Sequence, residues 1–212
     1  MAENTVIYPT RLTIDYPDRV LNRLTSFFRI FTIIPIAIII SLLTGPGASW
    51  RQQTNGWGWG AASGAGVIFL PTLLMILFQQ KYPKWWYDWS LNITKFGGRV
   101  VSYFALLTDV YPSTDEEQNV HIDIAYPDVK KDLNRWLPLV KWFLAIPHYI
   151  VLFFLGIAAG VCIVIAWFAI LFTGKYPRGI FDFVVGVYRW GLRVMSYAFM
   201  LITDKYPPFS AD

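Results

Sequence analysis

The chain has 212 residues and a net charge of +4; 55 % of it is apolar, 18 % aromatic and only 15 % charged, against about 25 % charged in ordinary soluble domains. That shortage of solubilising side chains argues against a soluble globule, and the same hydropathy argues against disorder. The lone Cys162 excludes a disulfide framework and any multi-cysteine metal site.

The first segment, Arg11 to Tyr16, alternates apolar and polar residues and ends in Tyr-Pro-Asp. His121 to Tyr126 does the same, and period-two alternation bounded by proline predicts two short strands that pair as a small cytoplasmic sheet. The first apolar stretch runs from Phe27 to Leu43 and the second from Gly64 to Phe78. Between them lies GPGASWRQQTNGWGWGAASG, a Gly-, Trp- and polar-rich segment that reads as a loop. A third apolar run covers Trp136 to Thr173, too long for one span of roughly 20 residues. It is read either as one long kinked helix or as two short helices with a tight turn at Gly156–Gly160.

An internal repeat favours the turn. Asn22-Arg23 matches Asn134-Arg135, Arg29 matches Lys141, Ile34-Pro35 matches Ile146-Pro147, and Lys81-Tyr82-Pro83 matches Lys175-Tyr176-Pro177. Further on, Arg99 and Asp109 match Arg193 and Asp204. An insertion such as the loop above fits a hairpin tip and would wreck a continuous helix. The expected fold is therefore all-α and membrane-embedded: two tandem helical-hairpin repeats, with four short transmembrane helices in all. Repeat one covers residues 1–112, an acidic linker 113–120, and repeat two 121–212. Of the 18 Lys and Arg residues only Arg51 falls on the side of the hairpin tips, so an excess of cytoplasmic positive charge places both termini in the cytoplasm of a multi-pass inner-membrane protein. The N-terminal segment lacks a cleavage-type pattern, so no removable signal peptide is expected.

Each expected hairpin is followed by a segment too polar to span. Asp88, Lys95, Arg99 and Ser102 fall on one helical face, and Asp182, Arg189, Arg193 and Ser196 on another. Two cytoplasmic interfacial amphipathic helices follow from this, either docking anionic lipid or a partner, or packing over the bundle as anchors. Tyr-Pro occurs seven times and marks the joints between elements.

Little in the sequence points to chemistry. All the Asp and Glu fall outside the apolar stretches, whereas proton relays and ion pathways place such groups inside the membrane. Arg29 and Lys141 lie near the cytoplasmic ends of their stretches and are expected to snorkel to the interface. His148 is a lone imidazole whose repeat counterpart is Ile36; it is read as a satisfied interfacial histidine, with a cofactor-ligand role as the sharper alternative. His121 has no Cys or Glu cluster beside it, and no glycine-rich phosphate loop or nucleophile motif occurs. Asp109 and Asp204 with Arg99 and Arg193 are the sole enzyme-like groups, and they are read as ion-paired helix ends. Asn92-Ile-Thr matches a glycosylation sequon that a cytoplasmic location would keep silent, and Cys162 reads as a small core residue.

The string from Ala145 to Phe209, with its Ile146-Pro-His-Tyr-Ile-Val-Leu, Phe172-Thr-Gly-Lys-Tyr-Pro and Thr203-Asp-Lys-Tyr-Pro-Pro-Phe, resembles the bacterial membrane family DUF4389. Lys175 stands where that family usually has Arg. In the first half the pattern has diverged, with Ile36-Ala37 for His-Tyr and Gln79-Gln80 for Thr-Gly. The resemblance implies an inner-membrane location and a duplicated hairpin, and no activity.

The expected function is accordingly non-catalytic: an accessory or structural subunit, or a lipid-interacting scaffold, of a membrane complex. The candidate lipid- or partner-binding residues are Arg23, Arg29, Trp85, Trp86, Lys95, Arg99, Arg135, Lys141, Arg189, Trp190 and Arg193. Membrane lipids, anionic ones foremost, and other membrane-protein subunits are the expected partners; no cofactor, metal or nucleic acid is expected. A small oligomeric transporter or channel is the alternative, weakened because Thr32 and Ser41 are almost the only polar groups in the first stretches.

Overall fold

The computed structural model describes residues 8–17, 21–44, 64–114, 116 and 118–211. Strand β1 (Thr10–Ile14) and strand β2 (Val120–Ile124) form an antiparallel pair in which Leu12 faces Ile122. One face of the pair is buried, through Leu12, Ile14, Val120, Ile122 and Ile124, while Arg11, Thr13, His121 and Asp123 lie on the exposed face. The alternation seen in the sequence thus becomes a half-buried sheet, as expected. An isolated pair of strands is marginal in water, and this one is covered.

The cover consists of two helices of equal length, α3 (Lys84–Phe104) and α7 (Arg178–Ala198), each starting directly after a Tyr-Pro joint. Helix α7 packs on β1 and α3 on β2. Gly98 of α3 makes the closest approach: a Cβ there would lie 2.5 Å from Ile122 Cδ1 and 2.9 Å from the Tyr188 hydroxyl.

Beyond α3 and α7 lies an apolar layer formed by α1 (Arg23–Thr44), α2 (Gly64–Leu74, continued by a π-turn over Met75–Gln79), α5 (Pro138–Leu144) and α6 (Ile146–Thr173); a single turn, α4 (Val129–Asp132), follows β2. Helix α6 has 28 residues and is, among the described residues, the one helix long and apolar enough to cross a membrane.

One expectation about this layer is overturned. The tight turn at Gly156–Gly160 does not form, because both glycines lie inside the unbroken α6 with nothing within 4 Å of an added Cβ. The segment Gly-Ile-Ala-Ala-Gly contains no proline or polar capping residue. A turn there would free backbone groups of their partners, whereas a continued helix bonds each one internally. The interruption falls earlier instead, between α5 and α6, where Pro147 enters at the start of the second helix.

Helices α1 and α2 pack against each other. Leu21 N–H, just before α1, donates to Gly174 O past the end of α6 at 2.9 Å, while Arg135 Nε, just before α5, donates to Leu77 O at the end of α2 at 2.6 Å. These anchor points lie toward opposite ends of α6, a helix about 40 Å long at ~1.5 Å per residue. The loop expected between α1 and α2, with Arg51, lies outside the described residues. A mostly helical fold with a two-stranded sheet stands, with α6 the one helix among the described residues that is long and apolar enough to span a membrane.

Candidate functional site

Two buried ionic centres among the described residues are built alike. Helix α3 ends with Leu106 in the left-handed region at φ 64°, and Leu107 N–H reaches back to Ser102 O at 2.9 Å. That reversal turns Thr108 and Asp109 toward α1. Arg29 of α1, 3 % exposed, donates to Tyr103 O at 2.9 Å, Thr108 O at 3.0 Å and the Asp109 carboxylate, with its guanidinium 4.3 Å over the Tyr103 ring. Asp109 also accepts from Asn22 N–H at 2.9 Å.

Helix α7 ends the same way, with Leu201 at φ 56°. Lys141 of α5, fully buried, donates to Thr203 O at 2.8 Å and to Asp204 at 2.7 Å, 5.3 Å from the Tyr197 ring centroid. Asp204 in turn accepts from Asn134 N–H. Burial lowers the Lys141 ammonium from its ordinary value, against the opposing pull of Asp204.

Two expectations change here. Arg29 and Lys141 do not snorkel, because each finds a carboxylate and backbone carbonyls inside the protein. Asp109 and Asp204 pair with them and not with Arg99 and Arg193. Arg99 donates instead to Ser113 O at 2.7 Å and Thr114 O at 3.3 Å, and Arg193 to Ser210 O at 3.3 Å.

Most of the charged stripes of α3 and α7 likewise look inward, with Asp88 and Asp182 left exposed. Ser102 and Ser196 are fully buried, Arg99 is buried, and Arg189 donates to Leu12 O of β1 at 3.0 Å and to Ala211 O at 3.2 Å. These residues hold the sheet and the C-terminal segment. Lys95 is half-buried on the same face of α3.

The joints carry a second matched set of contacts. Tyr16 and Tyr126, each at the end of a strand, donate to Tyr176 O and Tyr82 O, the joint tyrosines opposite. Tyr82 and Tyr176 in turn donate to Met200 O at 3.2 Å and Ala105 O at 3.4 Å. Burial pushes the Tyr82 phenol well above its ordinary value, so it remains a neutral donor. This network was missed in the sequence, although seven tyrosines preceding proline were its signal.

His148 is fully buried. Its Nδ1 accepts from the Trp190 indole at 3.1 Å, and its ring stacks on Phe209 with centroids 4.0 Å apart and lies 4.8 Å from Tyr206. The imidazole thus locks the start of α6 to the end of α7 and to the C-terminal segment, which makes it and Trp190 internal groups. Among the described residues no cluster of three or more His, Cys, Asp or Glu could hold a metal.

Arg23, Trp85 and Arg135 remain at the surface, with Trp86 half-buried and its indole donating to Thr72 Oγ1 at 2.8 Å. Two further features lie at the edges of the apolar layer. A cleft of about 650 Å3 at the α2–α3 joint is lined by Lys81, Lys84 and Lys130 with one acid, Asp128. An apolar slot of about 350 Å3 runs between α1 and α6, lined by Ser26, Arg29, Phe104, Ile163 and Trp167 among others.

The fold and its surface define a helical protein with one long, outward-facing apolar helix and cations at the margins of its apolar layer. Residues 136–211 match the model of the family described as Domain of unknown function (DUF4389), about a third of the chain. No curated protein and no solved structure matches it.

Proposed function

We propose that the protein is a non-catalytic membrane scaffold. In this reading it is an accessory or structural subunit that holds anionic lipid, and through it other membrane-protein subunits, at the cytoplasmic side of a bacterial inner membrane, with both termini in the cytoplasm. The observation that carries the reading is the outward face of α6 and its neighbours, where Phe153, Phe154, Ile157, Val161 and Phe172 are all more than half exposed. A soluble monomer rarely exposes so large an apolar patch, and one of this size marks a membrane or protein contact. Cations ring that face, with Arg23, Lys175 and Arg178 at one end of α6 and Lys81, Lys84 and Arg135 at the other, all exposed. Such a ring suits anionic headgroups.

Purification in mild detergent followed by native mass measurement tests the proposal. Retained phospholipid, enriched in anionic species, or a retained membrane subunit is the expected result. A bare monomer carrying neither would contradict it, and ion flux through reconstituted vesicles would favour a channel or transporter instead.

A further inference from the structure

We infer that α6 lies along the membrane surface, immersed in a single leaflet, and does not cross the bilayer. The inference rests on the membrane reading above and adds the orientation.

Helix α7 leaves the end of α6 through a short connection at Gly174 and runs back beside it. Near its own end, Trp190, Val194 and Tyr197 pack with Ala145 and Tyr149 at the start of α6. The two helices are therefore antiparallel over most of their length. Halfway along α7, Arg189 donates to Leu12 O, so the centre of the sheet lies level with the middle of α6. Were α6 to stand upright across the membrane, that sheet would sit at the depth of the hydrocarbon. It would bring its exposed Arg11, His121 and Asp123 to the same depth. Exposed charged groups are what the hydrocarbon excludes.

The polarity of the molecule changes in another direction. The polar sheet face, the two covering helices, the buried seam of α6 and its bare apolar face follow one another along a line perpendicular to α6. Ala145, just before α6, and His148, Ala159, Ala166 and Ile170 form that seam, three or four residues apart or multiples of that spacing; half-buried residues such as Leu152, Leu155, Ile163 and Trp167 flank it, and the opposite face looks outward. A spanning helix needs polar, apolar and polar zones in sequence along its axis. An in-plane helix needs them across its axis, which is the arrangement here.

Both ends of α6 are also tied to the polar side. At the start, Tyr206 donates to Leu144 O at 3.2 Å and Lys141 is paired with Asp204. At the other end, Gly174 O accepts from Leu21 N–H, and Tyr176 O accepts from Tyr16 at the end of the strand. The cations at the two ends then lie at one headgroup level. The occupant of the apolar face is one leaflet of an anionic bilayer.

Single-cysteine labelling in membranes containing the full chain tests this, in a Cys162→Ala background. Arg135→Cys and Lys175→Cys, both exposed positions, report the two ends of α6, and Phe153→Cys reports its apolar face. A membrane-impermeant maleimide is applied to intact spheroplasts and to inverted vesicles. Both end cysteines reacting from the cytoplasmic side only, with Phe153→Cys protected and the protein resisting carbonate extraction, is the expected pattern. Labelling of the two ends from opposite sides, or of either end from both sides, overturns the in-plane orientation while leaving the protein in the membrane. Release by carbonate, with all three cysteines reacting equally, overturns the membrane reading and the orientation with it.

Discussion

The buried cations of the two halves occupy matched nests but solve the same problem with different chemistry. Arg29 spreads three contacts over the Tyr103 and Thr108 carbonyls and Asp109, whereas Lys141 places one ammonium between the Thr203 carbonyl and Asp204. Asp109 is 9 % exposed and Asp204 is 21 % exposed, so the second nest is the wetter at its carboxylate. A guanidinium remains charged at any accessible pH and fits several acceptors at once; an ammonium is a compact charge whose proton responds to burial. The fold thus needs a cation at this place in each half, and only the half with lysine gains a pH dependence from it.

Removing the cations is the largest way to break the comparison. Arg29→Met and Lys141→Met each leave a carboxylate buried without its partner, a loss of about 3–5 kcal/mol when such a pair is broken. Arg29→Met is expected to cost more, since Asp109 is the drier acid and two backbone carbonyls lose their donor as well. Thermal unfolding in detergent, followed by circular dichroism, measures both; equal losses would remove the distinction between the nests.

The next effect is one of pH. Burial lowers the Lys141 ammonium below its ordinary 10.5, so the folded protein holds this proton less tightly than the unfolded chain. This group therefore makes stability rise with pH between the depressed folded value and 10.5, and contributes no slope below that window. In Lys141→Arg the rise is expected to vanish, because arginine does not titrate there. Unfolding midpoints across the alkaline range in both proteins check it.

The joint tyrosines test whether the halves are equivalent. Tyr16→Phe and Tyr126→Phe each delete one hydroxyl-to-carbonyl bond, with an expected loss of about 1 kcal/mol. The two losses should agree, and a large difference would show that one strand end matters more.

The smallest expected effect concerns the residues that end the apolar helices. Gly174 stands at φ 74° and its counterpart Gln80 at φ 48°. Glycine adopts that region freely and other residues at a cost. Gln80→Gly is expected to stabilise by about 0.5–1 kcal/mol and Gly174→Ala to destabilise by a similar amount, both read from unfolding midpoints.

The sequence made part of this visible and hid the rest for physical reasons. The strands were legible because a half-buried strand must alternate, and Tyr-Pro-Asp closes both. Both amphipathic helices were legible from the spacing of Asp182, Arg189 and Arg193, but not the direction in which they face: a polar stripe satisfied by a sheet reads the same as one satisfied by water or headgroups. The ion pairs were misassigned because Asp109 was matched with the nearby Arg99, while its partner Arg29 lies 80 residues away. The signal was nonetheless present. A cation inside an apolar run, and an acid after the following helix, recur together in both halves. The unbroken α6 was one of two readings of the apolar run, and the internal repeat tipped the choice toward a turn, because the length of an apolar run alone does not separate one long helix from two short ones.

The depth of α6 along its length tests the central claim most directly. Ile150, Ile157 and Val164 follow one another at seven-residue intervals, on one line of the helix, and are 56 %, 54 % and 55 % exposed. Nitroxide labels at these three positions, in protein reconstituted into anionic bilayers, report their immersion through relaxation by oxygen and by a water-soluble paramagnetic complex. One common depth, within a single leaflet, is expected for all three. A depth that changes by about 10 Å from each label to the next, as the rise of an upright helix requires, would contradict it.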